Sequence, residues 1–181
     1  MIVRTLLTLV LSIVLLGGAR ADEPAPSGPV VLTVAGAIGA GNRGAVDAFA
    51  DPFLGHHDIA FDSAYAFDRA MLEALGMRRI TTRYPGTDRT IEAEGPFLRD
   101  VLAAVGASGA TVSAMALDGY AAEIAADEAA RYDIVLALRA DGRDLGLGGR
   151  GPAWIVFPDD PAFAERGDAA WVWGVFYLRV D

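Results

Sequence analysis

The stretch Glu94-Gly-Pro-Phe-Leu-Arg-Asp-Val-Leu102 sets the reading of the fold. Pro96 suits the first position of a helix, because its missing N–H has no partner there and its fixed φ is already helical. Leu98, Val101, Leu102 and Val105 then share one helical face, and Gly106 stands where a helix ends in a left-handed residue. Upstream, residues 78–84 alternate around Ile80 and Thr82 as a strand does, and residues 84–88 turn at Pro85-Gly86. Before that, Phe67, Ala70, Met71 and Ala74 have the i, i+3, i+4, i+7 spacing of a helix over 67–75, ended by Gly76. Val30 opens a β-branched first strand that runs into a glycine-rich loop, 36–44. Residues 45–62 carry no period that assigns them.

Downstream, residues 111–117 and 120–124 form a hairpin around Asp118-Gly119. A short helix follows over 126–132 and a strand over 134–139. Asp141-Gly142 turns that strand into a partner near Leu145. Residues 153–157 read as a buried strand and 171–180 as a long closing strand. Many strands with few, short helices give a β-rich α+β domain without internal repeat.

Residues 1–21 read as a cleavable signal peptide. Arg4 supplies the positive n-region, residues 5–16 the apolar run, and Ala19-Arg20-Ala21 the small-x-small cleavage site. The run is shorter than the ~20 residues of a spanning helix. Cleavage after Ala21 would leave a flexible Pro- and acid-rich leader, 22–29, and a single domain, 30–181. The expected address is the periplasm or the exterior, free of the membrane. Loss of Arg4 and Arg20 takes the formal charge from −9 to −11. Such a surface repels nucleic acid and anionic membranes. The chain has no cysteine, which removes thiolate catalysis, disulfides and Cys metal sites. It has no lysine either, which removes Schiff-base chemistry and the phosphate-loop lysine.

The glycines at 36, 39, 41 and 44 invite a dinucleotide reading, but no amphipathic helix follows them directly. His56-His57 is the one histidine pair, with Asp51, Asp58 and Asp62 nearby, and adjacent histidines on a strand diverge rather than converge on a metal. Arg78, Arg79, Arg83, Arg89 and Arg99 cluster within an acidic chain. A convergent subset of such forks would bind an anion. Internal pairing with Glu92, Glu94 and Asp100 is the favoured alternative, since arginines at alternating strand positions split between faces. Trp154, Trp171 and Trp173 have strand spacing and read as core. No Ser-His-Asp set or carboxylate pair stands out.

From about Val30 to Val180 the order of segments resembles the molybdopterin-binding domain of the sulfite-oxidase fold, and most of all small exported proteins that carry this domain alone. The pieces are Val31-Leu-Thr-Val-Ala-Gly36, Phe67-Asp-Arg-Ala-Met-Leu-Glu-Ala-Leu75, Ile80-Thr-Thr-Arg-Tyr-Pro-Gly-Thr-Asp88 and Glu94-Gly-Pro-Phe-Leu-Arg-Asp-Val-Leu102. They continue through Ala116-Leu-Asp-Gly-Tyr120, Asp133-Ile-Val-Leu-Ala-Leu138, Asp141-Gly-Arg-Asp, Gly151-Pro-Ala-Trp-Ile-Val-Phe-Pro158 and Trp171-Val-Trp. The resemblance implies mixed sheets. It also implies a cofactor cleft beside the loop in which catalytic members carry a molybdenum-ligating cysteine. Here that loop reads Tyr84-Pro-Gly-Thr-Asp88. A phosphate-holding lysine of catalytic members would fall near Trp173, and their His- and Asn-rich pterin contacts have no clear match. Cofactor-loaded proteins cross membranes folded, on a twin-arginine signal, whereas the n-region here has Arg4 alone.

The leading expectation is therefore a cofactor-free, exported binding or accessory module. A small anionic ligand or a periplasmic protein partner would occupy the former cofactor cleft, lined by Arg83, Tyr84, Thr87, Asp88 and Arg89. One alternative is a divergent oxidoreductase that binds molybdopterin without a thiolate, with Arg83 or Arg89 on its phosphate. Another is a metal-binding protein using His56 and His57.

Overall fold

The computed structural model describes residues 23–181, so the signal segment and its cleavage site lie outside the described residues. In chain order the elements are β1 (Val30–Gly36), β2 (Arg43–Gly44), α1 (Pro52–His56), β3 (Ser63–Asp68), α2 (Arg69–Ala74), β4 (Arg78–Arg83), β5 (Thr90–Gly95) and α3 (Leu98–Ala104). Then come β6 (Thr111–Ala116), β7 (Ala121–Ala125), α4 (Ala126–Arg131), β8 (Val135–Ala137), β9 (Arg139–Ala140), β10 (Arg143–Asp144), β11 (Trp154–Val156), a 3-10 turn (Pro161–Phe163) and β12 (Val175–Val180). A six-stranded sheet has the order β2-β3-β1-β12-β6-β7, a four-stranded sheet β10-β9-β5-β4, and β11 pairs with β8. β1 and β12 run parallel, with Thr33 opposite Tyr177, and the other pairs are antiparallel. This is the expected β-rich α+β domain of mixed sheets and few short helices.

The main core lies on one face of the six-stranded sheet. Leu32 and Val34 of β1 and Leu178 and Val180 of β12 meet Leu72, Leu98, Val101, Leu136 and Ile155 there. The opposite face is covered by residues 45–62, the segment without period in the sequence. It lays Leu54 and Ile59 on Ala35, Ala64 and Tyr177.

The opening stretch is fixed by a close backbone crossing. Leu138 N–H donates to Glu94 O at 2.8 Å, Leu136 N–H to Pro96 O at 2.9 Å, and Leu98 N–H to Ile134 O at 2.8 Å. Residues 94–97 are thus stitched to β8 as extended chain. Pro96 accordingly precedes α3 instead of opening it, and Phe97 is the N-cap. Gly95 is required here, because a methyl group at its Cα would collide with Leu136 O. The ladder of β5 alternates by face, with Ile91 and Ala93 buried and Glu92 and Glu94 outward against Arg79, at 3.3 and 3.0 Å.

Two boundaries differ from the sequence reading. Phe67 belongs to β3, where it pairs with Leu32, and the helix starts after Asp68. Asp68 stops the strand because its carboxylate accepts from Met71 N–H at 2.8 Å as an N-cap. The closing strand is shorter than expected. Gly174 takes φ +71°, and Trp173 bridges to Trp154 before β12 begins at Val175.

Asp68 also ties down the leader. Its carboxylate accepts from Ser27 N–H and Gly28 N–H, each at 2.7 Å, and from Ser27 Oγ at 3.1 Å. Asn42 adds a bond from its side-chain amide to Pro24 O at 2.8 Å. The Met71 N–H first, then the Gly28 and Ser27 donors, lower the Asp68 pKa from 3.8 to about 2.

Two outcomes follow. Gly95→Ala should cost about 3 kcal/mol in urea unfolding, the upper end for an overpacked site, because the neighbour is backbone that cannot move aside. Asp68 has a depressed folded pKa, so its contribution is full above the unfolded value of 3.8 and disappears as pH falls through about 2. The stability gap between the wild type and Asp68→Asn should therefore be wide at pH 6 and close by pH 2. A gap that stays constant across that window would contradict the assignment.

Candidate functional site

β4 delivers Thr82 and Arg83 to a tight turn. Tyr84 N–H donates to Arg89 O at 2.8 Å, and Thr87 N–H to Tyr84 O at 3.2 Å. The Thr87 hydroxyl donates to Tyr84 O at 3.0 Å and accepts from Arg89 N–H at 3.2 Å. Gly86 supplies the positive φ of 71° that closes the turn.

The Tyr84 ring leans inward on an aromatic wall. It meets Trp171 edge-on at 5.6 Å between centroids and Trp154 at 6.1 Å. The Trp154 indole N–H donates to Trp171 O at 3.1 Å, which fixes the two tryptophans relative to each other. Trp154 and Trp171 are 2% and 4% exposed, core as the sequence reading has them and also lining cavities, whereas Trp173, read as core with them, is 47% exposed.

Tyr84 lines two hollows. The larger is an open cleft of about 610 Å³ between Thr82–Gly86 and the loop from Pro158 to Gly167, backed by Trp171. That loop is held in place. The Asp160 carboxylate accepts from Ala162 N–H at 2.8 Å, and the Arg166 guanidinium grips Glu128 at 2.7 and 2.8 Å while lying over Phe157 and Phe163. The charged groups lining the cleft are Arg83, Asp159 and Asp160. Thr82, which also lines the cleft, is 2% exposed, and its hydroxyl has no hydrogen-bond partner among the described residues.

The smaller hollow, of about 140 Å³, is also lined by Tyr84. Arg89, Asp141, Arg150 and Trp154 line it. Arg89 pairs with Asp141 at 3.0 Å. The Asp141 carboxyl is held below the usual carboxylate range by the Glu92 N–H, and then by Arg89. The Arg150 guanidinium lies 4.3 Å from the Trp154 ring centroid and 4.8 Å from that of Tyr84.

Of the residues expected at the site, Arg83 and Tyr84 line the larger cleft, and Tyr84 and Arg89 the smaller hollow. Thr87 is spent on the turn, and Asp88 is exposed outside both hollows. The arginine cluster divides. Arg79, Arg89 and Arg99 pair internally, Arg99 with Asp133 at 2.8 Å rather than with Asp100. Arg78 lies near the Phe97 ring, and Arg83 has no ion pair among the described residues. His56 and His57 face each other at 5.2 Å, with His57 against Phe53 and Phe176. No group of three or more His, Cys, Asp or Glu placed to hold a metal exists among the described residues. Thr82, Arg150 and the 158–167 loop were not singled out by sequence reading, because only the tertiary fold brings them to Tyr84.

No protein-family model matches the chain, and no curated protein matches it. Among solved structures it is similar to the crystal structure of the sulfane dehydrogenase SoxCD from Paracoccus pantotrophus, with a TM-score of 0.58 and 16% identity over 82% of this chain. The chain spans 37% of the length of that SoxCD chain. At this identity the likeness is one of fold. It places the β-rich mixed-sheet architecture with that of the SoxCD chain.

Proposed function

We propose that this protein is an exported binding module built on a molybdopterin-binding fold, working without the metal cofactor. A small organic ligand would occupy the cleft between Thr82–Gly86 and Pro158–Gly167. The observation that carries this reading is the Thr82 hydroxyl, buried in a residue that lines that cleft and without a hydrogen-bond partner among the described residues. An unpaired buried hydroxyl costs about 1–3 kcal/mol, a cost that a ligand group bonded to it would remove. A volume of about 610 Å³ falls within the ~300–1,000 Å³ of small-molecule sites, and the lining sets aromatic and proline walls beside Arg83, Asp159 and Asp160.

The donor set argues against molybdenum. The chain has no cysteine to supply a thiolate, and His, Asp and Glu do not gather as substitutes among the described residues. The lining charge of the cleft, one arginine against two aspartates, also disfavours a multiply charged phosphate there. The ligand body in this cleft is therefore neutral or weakly charged overall.

Two measurements test the reading. Protein purified from its native envelope should carry no stoichiometric molybdenum and release no pterin fluorescence on oxidation; a full equivalent of either would overturn it. Thr82→Val keeps the shape and removes the unpaired hydroxyl, so the ligand-free protein should gain about 1 kcal/mol in thermal unfolding. A loss of stability instead would mean that the hydroxyl has a partner within the protein.

A further inference from the structure

Arg150 is the second group around Tyr84 whose chemistry is left unused. Its side chain is half-buried, yet it makes no hydrogen bond or ion pair with any described residue. A guanidinium carries five N–H donors in its plane, and those of Arg150 are left free of the described protein groups and open to a ligand or to water. The two rings lie against it, Trp154 at 4.3 Å and Tyr84 at 4.8 Å. Such stacking suits the weakly hydrated faces of the ion and leaves its N–H edge for a planar acceptor.

The residue is also held in place. Gly174 N–H donates to Arg150 O at 2.9 Å, and Gly151 N–H to Gly146 O at 3.1 Å. Gly151 has no room for a side chain, because a methyl group there would overlap the Leu145 carbonyl. The loop therefore presents Arg150 from a fixed backbone rather than a loose one.

Charge decides what the hollow takes. Arg89 is already neutralised by Asp141 at 3.0 Å, so the lining groups leave one net positive charge, that of Arg150. One charge, one planar fork and about 140 Å³ match a single trigonal monoanion better than a dianionic phosphate. The geometry points to a carboxylate-binding subsite in this hollow, in which Arg150 grips the acid group of an organic monocarboxylate. Tyr84 lines both hollows, so the body of the ligand would lie past its ring in the larger cleft. That second half rests on the function proposed above, whereas the grip of Arg150 does not.

The test is a titration of the ¹⁵N-labelled protein with sodium acetate, at an ionic strength held constant with sodium chloride. Acetate should shift the Trp154 indole N–H and the Arg150 Nε–H signals saturably, and chloride should not. Arg150→Met keeps an unbranched apolar stem on the two rings and should abolish the response while the spectrum stays folded. Arg150→Lys keeps the charge without the fork and should bind acetate about tenfold more weakly. An acetate response that matches chloride, or that survives in Arg150→Met, overturns the subsite. A second probe, 3-phenylpropionate, separates the two claims. Tighter binding than acetate supports both subsite and cleft. Binding equal to acetate supports the subsite and counts against the cleft. If neither acid binds while Thr82→Val still stabilises the protein, the subsite fails and the cleft reading stands.

Discussion

The backbone of residues 94–98 crosses that of 134–138 with no side chain between them, and the rest of the molecule is arranged around that contact. It requires a glycine at 95, since the Leu136 carbonyl occupies the space of any Cβ there. It also supplies three hydrogen bonds, so the β4–β5 ladder and the β8–β11 pair are locked to each other in one register. From the crossing, β5 carries back to β4 and the 84–89 turn, and β8 carries across to β11 and Trp154. The meeting of Tyr84 with Trp154 and Trp171 is thus set by backbone geometry some distance away.

That meeting shapes the site. The Tyr84 ring rests on two buried tryptophans and lines both hollows beside the turn. The lining differs in sign. The larger cleft has two aspartates and one arginine, and the smaller hollow has an Arg–Asp pair plus the lone Arg150. In a chain of formal charge −9 without lysine, a half-buried arginine that pairs with no carboxylate is conspicuous, because acidic partners are plentiful. The Arg166–Glu128 pair shows the alternative, a guanidinium whose one terminal nitrogen meets both carboxylate oxygens and so holds a loop.

Much of the fold was legible in the sequence, for physical reasons that can be stated. The β6–β7 hairpin was readable from Asp118-Gly119, and α3 from its 3.6-residue period. The β5 strand is not legible in the sequence, because Ile91-Glu-Ala-Glu94 alternates over only four residues between a turn and the start of a helix. Phe67 fitted a helical spacing, and only the Asp68 cap decides that the strand ends there. Residues 45–62 follow no period because they cover a sheet face with a single short helix and irregular chain. The site was half legible. Arg83, Tyr84 and Arg89 came from the position of one loop. Thr82 looked like any inward strand residue, and Arg150 like part of a glycine-rich connection, until the crossing at Gly95 brought both to the tyrosine.

The central claim is that the cleft beside Tyr84 binds an organic ligand and not a molybdenum centre. The most direct measurement is a high-resolution crystal structure of the protein purified from its native envelope without added ligand. The expected result is density for an organic molecule in the larger cleft with an atom within hydrogen-bond distance of Thr82 Oγ1, and no metal. A metal–pterin complex in that cleft would contradict it, as would a closed cleft with the Thr82 hydroxyl bonded to the protein itself.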